Sequence, residues 1–226
     1  MKCGIAKFVA PVLMYASVCG MHVSAEEYVW VGTESSSWFA PGSYKLSDGG
    51  PAEKLPAKDD VVKLDNNSSA TVNDDSVAFV GSLARIMPQS GSTLVIDIST
   101  NAMMGCAIAG GNSSSTTYGT LLKKGTGTLS LTAVGAVEVD KVFIDCYTSE
   151  LIVEKGGIIF PQSVPQTAKN YHLGNCTVGE GCSIKLSGGF NTYMKSLNGC
   201  GTVISDSTSS RTLRVNGSGQ SLFSGK

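Results

Sequence analysis

Histidine, tryptophan and charge are scarce in this chain. Its 226 residues include two His, two Trp and only 15% Asp, Glu, Lys and Arg, and 17 basic residues nearly cancel 18 acidic ones. A chain without a basic excess lacks the electrostatic footprint of a nucleic-acid binder. Its 42% hydrophobic content is equally unlike an acidic disordered segment. Long stretches with a 3.6-residue apolar period are missing, which disfavours a helical architecture. No apolar run reaches the ~20 residues that span a bilayer as a helix. What remains is enough chain for one domain with a sizeable core, rich in Gly (27 residues), Ser and Thr.

The N-terminus reads as an export signal. Lys2 and Lys7 precede an apolar segment, Phe8 to Val18, and Val23-Ser24-Ala25 supplies small residues before Glu26-Glu27. This order predicts a signal peptide over 1–25, cleaved after Ala25. A lipoprotein signal at Cys19 would want a small residue where Val18 stands. Cleavage leaves 15 basic and 18 acidic residues, a net −3, with His172 the one histidine. Five cysteines remain, Cys106, Cys146, Cys176, Cys182 and Cys200, an odd set facing an oxidising compartment.

Six short segments then carry strand patterning: 93–98, 128–132, 150–154, 183–186, 202–205 and 212–215. Each is rich in Thr, Val, Ile and Leu and bounded by Gly, Asn, Asp or Ser. Leu129 lies 22 positions before Leu151, and Ile184 lies 19 before Val203. Spacings near 20 with glycine-marked corners fit a β-solenoid, in which each coil stacks on the one before. A β-sandwich fits the same strands with more frequent turns.

Particular motifs favour the solenoid. The stretch 119–132, Gly-Thr-Leu-Leu-Lys-Lys-Gly-Thr-Gly-Thr-Leu-Ser-Leu-Thr, resembles the autotransporter-associated β-strand repeat of bacterial autotransporter passengers. The stretches 196–203 and 219–225 are similar to further rungs of that repeat. Trp30-Val-Gly32, Trp38, Pro56 and Asp59-Asp60-Val61-Val62 resemble the opening of passenger domains, where aromatics cap the first coil.

The resemblance implies a right-handed parallel β-helix with an N-terminal cap and first coils over 26–85, aromatic plugs at Trp30 and Trp38, and rungs with the autotransporter-type repeat over 86–226. It implies an exported, outer-membrane-associated surface element that adheres to glycans, extracellular matrix or other surface proteins. The passenger-like sequence reaches Lys226 with no translocator barrel, so the expectation is a short secreted rod or part of a longer gene product.

Chemistry is sparse. Gly-x-Gly occurs at 125/127, 179/181, 199/201 and 217/219 without the further residues of a phosphate loop or dinucleotide fingerprint. These glycines read as solenoid corners, and no cofactor is expected. No Gly-x-Ser-x-Gly elbow accompanies His172. Cys182 and Cys200 both follow a glycine just before a strand, 18 positions apart, which suits a disulfide between adjacent coils. Free core thiols are the second reading, and a metal site with His172 and Cys176 the third.

Asp59-Asp60 and Asp74-Asp75 are sequence neighbours whose side chains diverge on a strand, so they read as turn caps. Asp140, Lys141 and Asp145 come nearest to a polysaccharide lyase or glycosidase site, the alternative to adhesion. Tyr28, Trp30, Trp38, Phe39 and Tyr44 either plug the solenoid's open end or stack on sugars, and capping agrees with the resemblance.

Overall fold

The computed structural model describes residues 25–58, 60–108, 118–131, 137–138, 141–142, 148–160, 171–187, 191–205, 212–216 and 221–226. It opens with β1 (Glu27–Trp30), a 3-10 turn (Pro41–Ser43) and β2 (Tyr44–Leu46). A strand–strand–helix unit follows: β3 (Val61–Leu64), β4 (Ser69–Asn73) and α1 (Val77–Gly81). Next come β5 (Arg85–Pro88), β6 (Thr93–Asp97) and β7 (Ala102–Met104), then β8 (Ala107–Ile108), β9 (Thr120–Lys123) and β10 (Thr128–Leu131). A short antiparallel pair, β11 (Val137–Glu138) and β12 (Lys141–Val142), precedes β13 (Glu150–Val153) and β14 (Gly157–Phe160). The chain continues with β15 (Tyr171–His172), β16 (Asn175–Val178), β17 (Ser183–Leu186), β18 (Thr192–Met194), β19 (Ser196–Gly199), β20 (Thr202–Ser205) and β21 (Leu213–Val215).

These strands stack in parallel into long faces, so the chain is a β-solenoid. One face runs β4-β6-β9-β13-β16-β19 and another β7-β10-β14-β17-β20. A third holds β1-β3-β5-β8, with β2 added antiparallel at its outer edge, and β15-β18-β21 form a further parallel sheet. All six segments predicted from sequence are strands. Ile184 and Val203 are register partners, as their spacing suggested. Leu129 and Leu151 are not: Leu129 pairs with Ile158, and Leu151 pairs with Leu121 on another face. The 22-residue spacing joined strands from two faces, because successive coils differ in length.

The core follows from alternation. Inward positions of the six-stranded face form one column, Ala70, Leu94, Leu121, Leu151, Cys176 and Leu197, all buried. A second inward column holds Val72, Ile96, Lys123, Val153 and Val178. Each fully buried leucine contributes about 1.5–3 kcal/mol. Lys123 is the exception in composition, and the structure accommodates it locally: its ammonium donates to the carbonyls of Lys124 and Gly125 at the corner that follows. Burial pulls its pKa below the ordinary lysine value.

The corner from β9 to β10 is the one from β16 to β17 and from β19 to β20. Three of the four Gly-x-Gly pairs sit there, at 125/127, 179/181 and 199/201, while 217/219 lies outside the described residues. Gly199 adopts a left-handed backbone with φ +101°. Gly127 lies so close to the preceding coil that a Cβ would run into the carbonyl of Thr100.

Candidate functional site

The N-terminal end is closed by aromatics. Tyr28, Trp30, Trp38 and Tyr44 are all buried, with the two indole rings 4.5 Å apart and Tyr44 edge-on to Trp30 at 5.3 Å. β4 is the terminal strand of the six-stranded face and would otherwise present unpaired carbonyls. Trp30 Nε1 donates to the Ser69 carbonyl at 3.1 Å, and Trp38 Nε1 donates to the Thr71 carbonyl at 2.7 Å. The two indoles thus act on alternate residues of β4, where a preceding coil would have supplied backbone N–H groups. Tyr44 Oη locks the arrangement by donating to the Trp38 carbonyl at 2.7 Å. Burial pushes the Tyr44 phenol well above the ordinary tyrosine value.

Phe39 departs from this pattern. It is 50% exposed and packs against Phe79 of α1 at 5.2 Å between ring centroids. Of the five clustered rings, it is the one left open to solvent. It stands at the rim of a groove of about 690 Å³ between the 33–39 loop and the end of β4. Thr33, Ser35, Asn73 and Asp75 line that groove, and Trp38 sits beneath it.

Of the paired aspartates, Asp59 lies outside the described residues. Asp60 accepts from the backbone N–H of Ala57 and of Glu26, both at 2.7 Å, pinning the start of β1 to the coil below. Asp74 accepts from the N–H and hydroxyl of Ser99 and from the N–H and hydroxyl of Thr100, at 2.7–3.1 Å. Both are turn caps that reach across coils. The Ser99 N–H first, then the hydroxyls of Thr100 and Ser99, hold the Asp74 carboxyl far below the usual carboxylate range.

The sign of the resulting pH dependence follows. A depressed native pKa stabilises the fold in full above the ordinary aspartate value of 3.8, and that stabilisation is lost as pH falls further. Asp74→Asn is therefore expected to lower Tm at pH 7 and to flatten its decline below pH 4. Thermal unfolding followed by circular dichroism from pH 2 to 7 reads both.

Cysteine chemistry is muted. Cys106, Cys176, Cys182 and Cys200 are all free thiols, so the Cys182–Cys200 disulfide is not formed in this structure. Just beyond these thiols, Ser183 pairs with Thr202 across the two coils. Cys182 is buried and Cys200 exposed. Burial pushes the thiols of Cys106 and Cys176 up to about 12, so neither is a thiolate near neutral pH. Among the described residues no three His, Cys, Asp or Glu side chains converge as a metal site would require.

Asp140 and Asp145 lie outside the described residues, as do residues 1–24. Lys141 opens β12, and its backbone pairs with Glu138.

Outward positions of the six-stranded face carry a polar column, Ser69, Thr93, Thr120, Glu150 and Asn175, and the next register position, Ser196, is buried. Thr120 Oγ1 reaches Glu150 at 3.5 Å and Ser196 Oγ reaches Asn175 at 3.1 Å, so neighbours along the column bond to one another. Sequence reading expected such an outer face in general terms, but not its alignment on one side. It missed the groove, because Phe39 was grouped with the buried rings and Asp75 with its neighbour Asp74. No helix among the described residues is long and apolar enough to cross a membrane. No protein-family profile matches the chain, and no curated protein or solved structure matches it significantly.

Proposed function

We propose that this β-solenoid is an exported, surface-located structural and adhesive element, similar to an autotransporter passenger, whose partners are glycans or glycan-bearing matrix. The observation that carries this reading is the polar outward column on the six-stranded face. Parallel stacking sets successive hydroxyl, amide and carboxylate groups ~4.8 Å apart. Each makes a weak exchangeable hydrogen bond to a sugar hydroxyl, so contacts add along the rod. The two repeat-like stretches support the same reading. Residues 119–132 span β9 and β10, residues 196–203 span β19 and β20, and both bring Gly-x-Gly to the same corner. The N-terminal 25 residues have the charge, apolar run and small-residue ending of a secretory signal.

The test is retention of the protein on immobilised polysaccharides, with reducing and unsaturated ends measured in the same wells. Retention without release of ends is the expected result. Release of ends that is lost in Lys141→Ala would replace adhesion with the lyase or glycosidase reading. A folded sample retained on no glycan surface would remove glycans as the partner.

A further inference from the structure

We propose that the groove between the 33–39 loop and the end of β4 is a binding site for an uncharged oligosaccharide. The inference rests on the adhesive reading and gives it a defined site. The groove's volume of about 690 Å³ lies within the range of small-ligand sites. Its lining combines the two chemistries a sugar needs. Phe39 offers a half-exposed ring face, steadied by Phe79 behind it, on which the C–H face of a pyranose can stack. Across the groove, Asp75 and Asn73 present a carboxylate and an amide for vicinal hydroxyls, and Thr33 and Ser35 add hydroxyls at the opposite edge.

Two features separate this groove from an ordinary wet crevice. The first is availability. Asp74 spends its carboxylate on Ser99 and Thr100, whereas among the described residues Asp75 has no hydrogen-bonded or ionic partner. Asn73 uses its side-chain oxygen to receive Ser76, which aligns the amide and leaves its NH2 without a partner among the described residues. The second is rigidity. Trp38 beneath the groove is buried and tied to Thr71, and the 33–36 turn is closed by Thr33 N–H donating to Ser36 Oγ at 2.8 Å. The groove's floor and its 33–36 edge are thus placed before the ligand arrives, which lowers the ordering cost of binding.

Charge selects the ligand class. Glu34 and Asp75 both line the groove; Glu34 forms an ion pair with Lys124 at 3.9 Å, while Asp75 has no ionic partner among the described residues. The unpaired Asp75 carboxylate disfavours uronates and sulfated chains and leaves neutral sugars.

Isothermal titration of the full protein with cello-, xylo- and manno-oligosaccharides, against oligogalacturonate, tests the proposal. At least one neutral probe is expected to bind and oligogalacturonate is not. Phe39→Ala and Asp75→Asn, each at an exposed position, are expected to weaken that binding by about tenfold, or ~1.4 kcal/mol, with Tm unchanged. Glu53→Gln, at an exposed position outside the groove lining, should leave it unchanged. Binding that persists in both groove variants overturns the site while leaving adhesion through the outer face standing. Preference for oligogalacturonate overturns the assigned ligand class. Failure to bind any of these oligosaccharides, by protein that retains on polysaccharide surfaces, overturns the groove as the site, and failure in both assays overturns the adhesive reading with it.

Discussion

Trp30→Ala is expected to destabilise the fold by about 4 kcal/mol, within the 3–5 kcal/mol range for truncating a buried tryptophan. The indole is fully buried and packs on Trp38 and Tyr44. Its loss opens a cavity at the end of the solenoid and leaves the Ser69 carbonyl without its donor. Two consequences should be separable. Trp30→Phe keeps most of the packing and removes the hydrogen bond, for a loss of about 1–2 kcal/mol. Trp30→Ala also uncovers the outer edge of β4, so concentration-dependent association should accompany it. Chemical denaturation at two protein concentrations measures the first effect, and light scattering the second. An alanine variant as stable as the parent would mean that the aromatic cap does not hold the end of the stack.

Gly127→Ala is expected to cost at least ~3 kcal/mol, the upper part of the range for forced overpacking. The new methyl meets the carbonyl of Thr100, which is backbone and cannot swing aside. Relief requires the β9–β10 corner to rise off the coil beneath, breaking the bond from Gly127 N–H to the Ile98 carbonyl at 2.9 Å. By contrast, Gly42→Ala meets no atom within 4 Å and should change stability little. The pair separates close coil approach from a general intolerance of glycine replacement, with urea midpoints as the readout.

Much of this architecture was legible in the sequence. Short Thr- and Val-rich segments bounded by glycines pointed to strands too small to stand alone, and Gly-x-Gly pairs pointed to corners. Trp30 and Trp38 were legible as a cap because large aromatics near a solenoid end have an open coil to cover. Register was not legible. Coils here repeat at 24 residues from β3 to β5 but at 30 from β9 to β13, so no fixed period indexes the chain. Irregular coil length is why Leu129 was matched to Leu151 rather than Ile158. The groove was hidden for another reason. Adjacent aspartates look identical in a sequence, and only the structure shows that Asp74 bonds the next coil while Asp75 faces the groove.

The outward polar column and the groove floor both depend on coils stacked in parallel in one register. Methyl NOE spectroscopy on leucine-labelled protein tests it directly, with Leu94, Leu121 and Leu151 assigned by single Leu→Ile substitutions. Cross-peaks are expected from Leu121 to both Leu94 and Leu151, its partners on the strands to either side. None is expected from Leu151 to Leu197, which are separated by Cys176 and two strand spacings of ~4.8 Å. A Leu121 without contact to Leu94 and Leu151, or a direct Leu151–Leu197 contact, would contradict the stack.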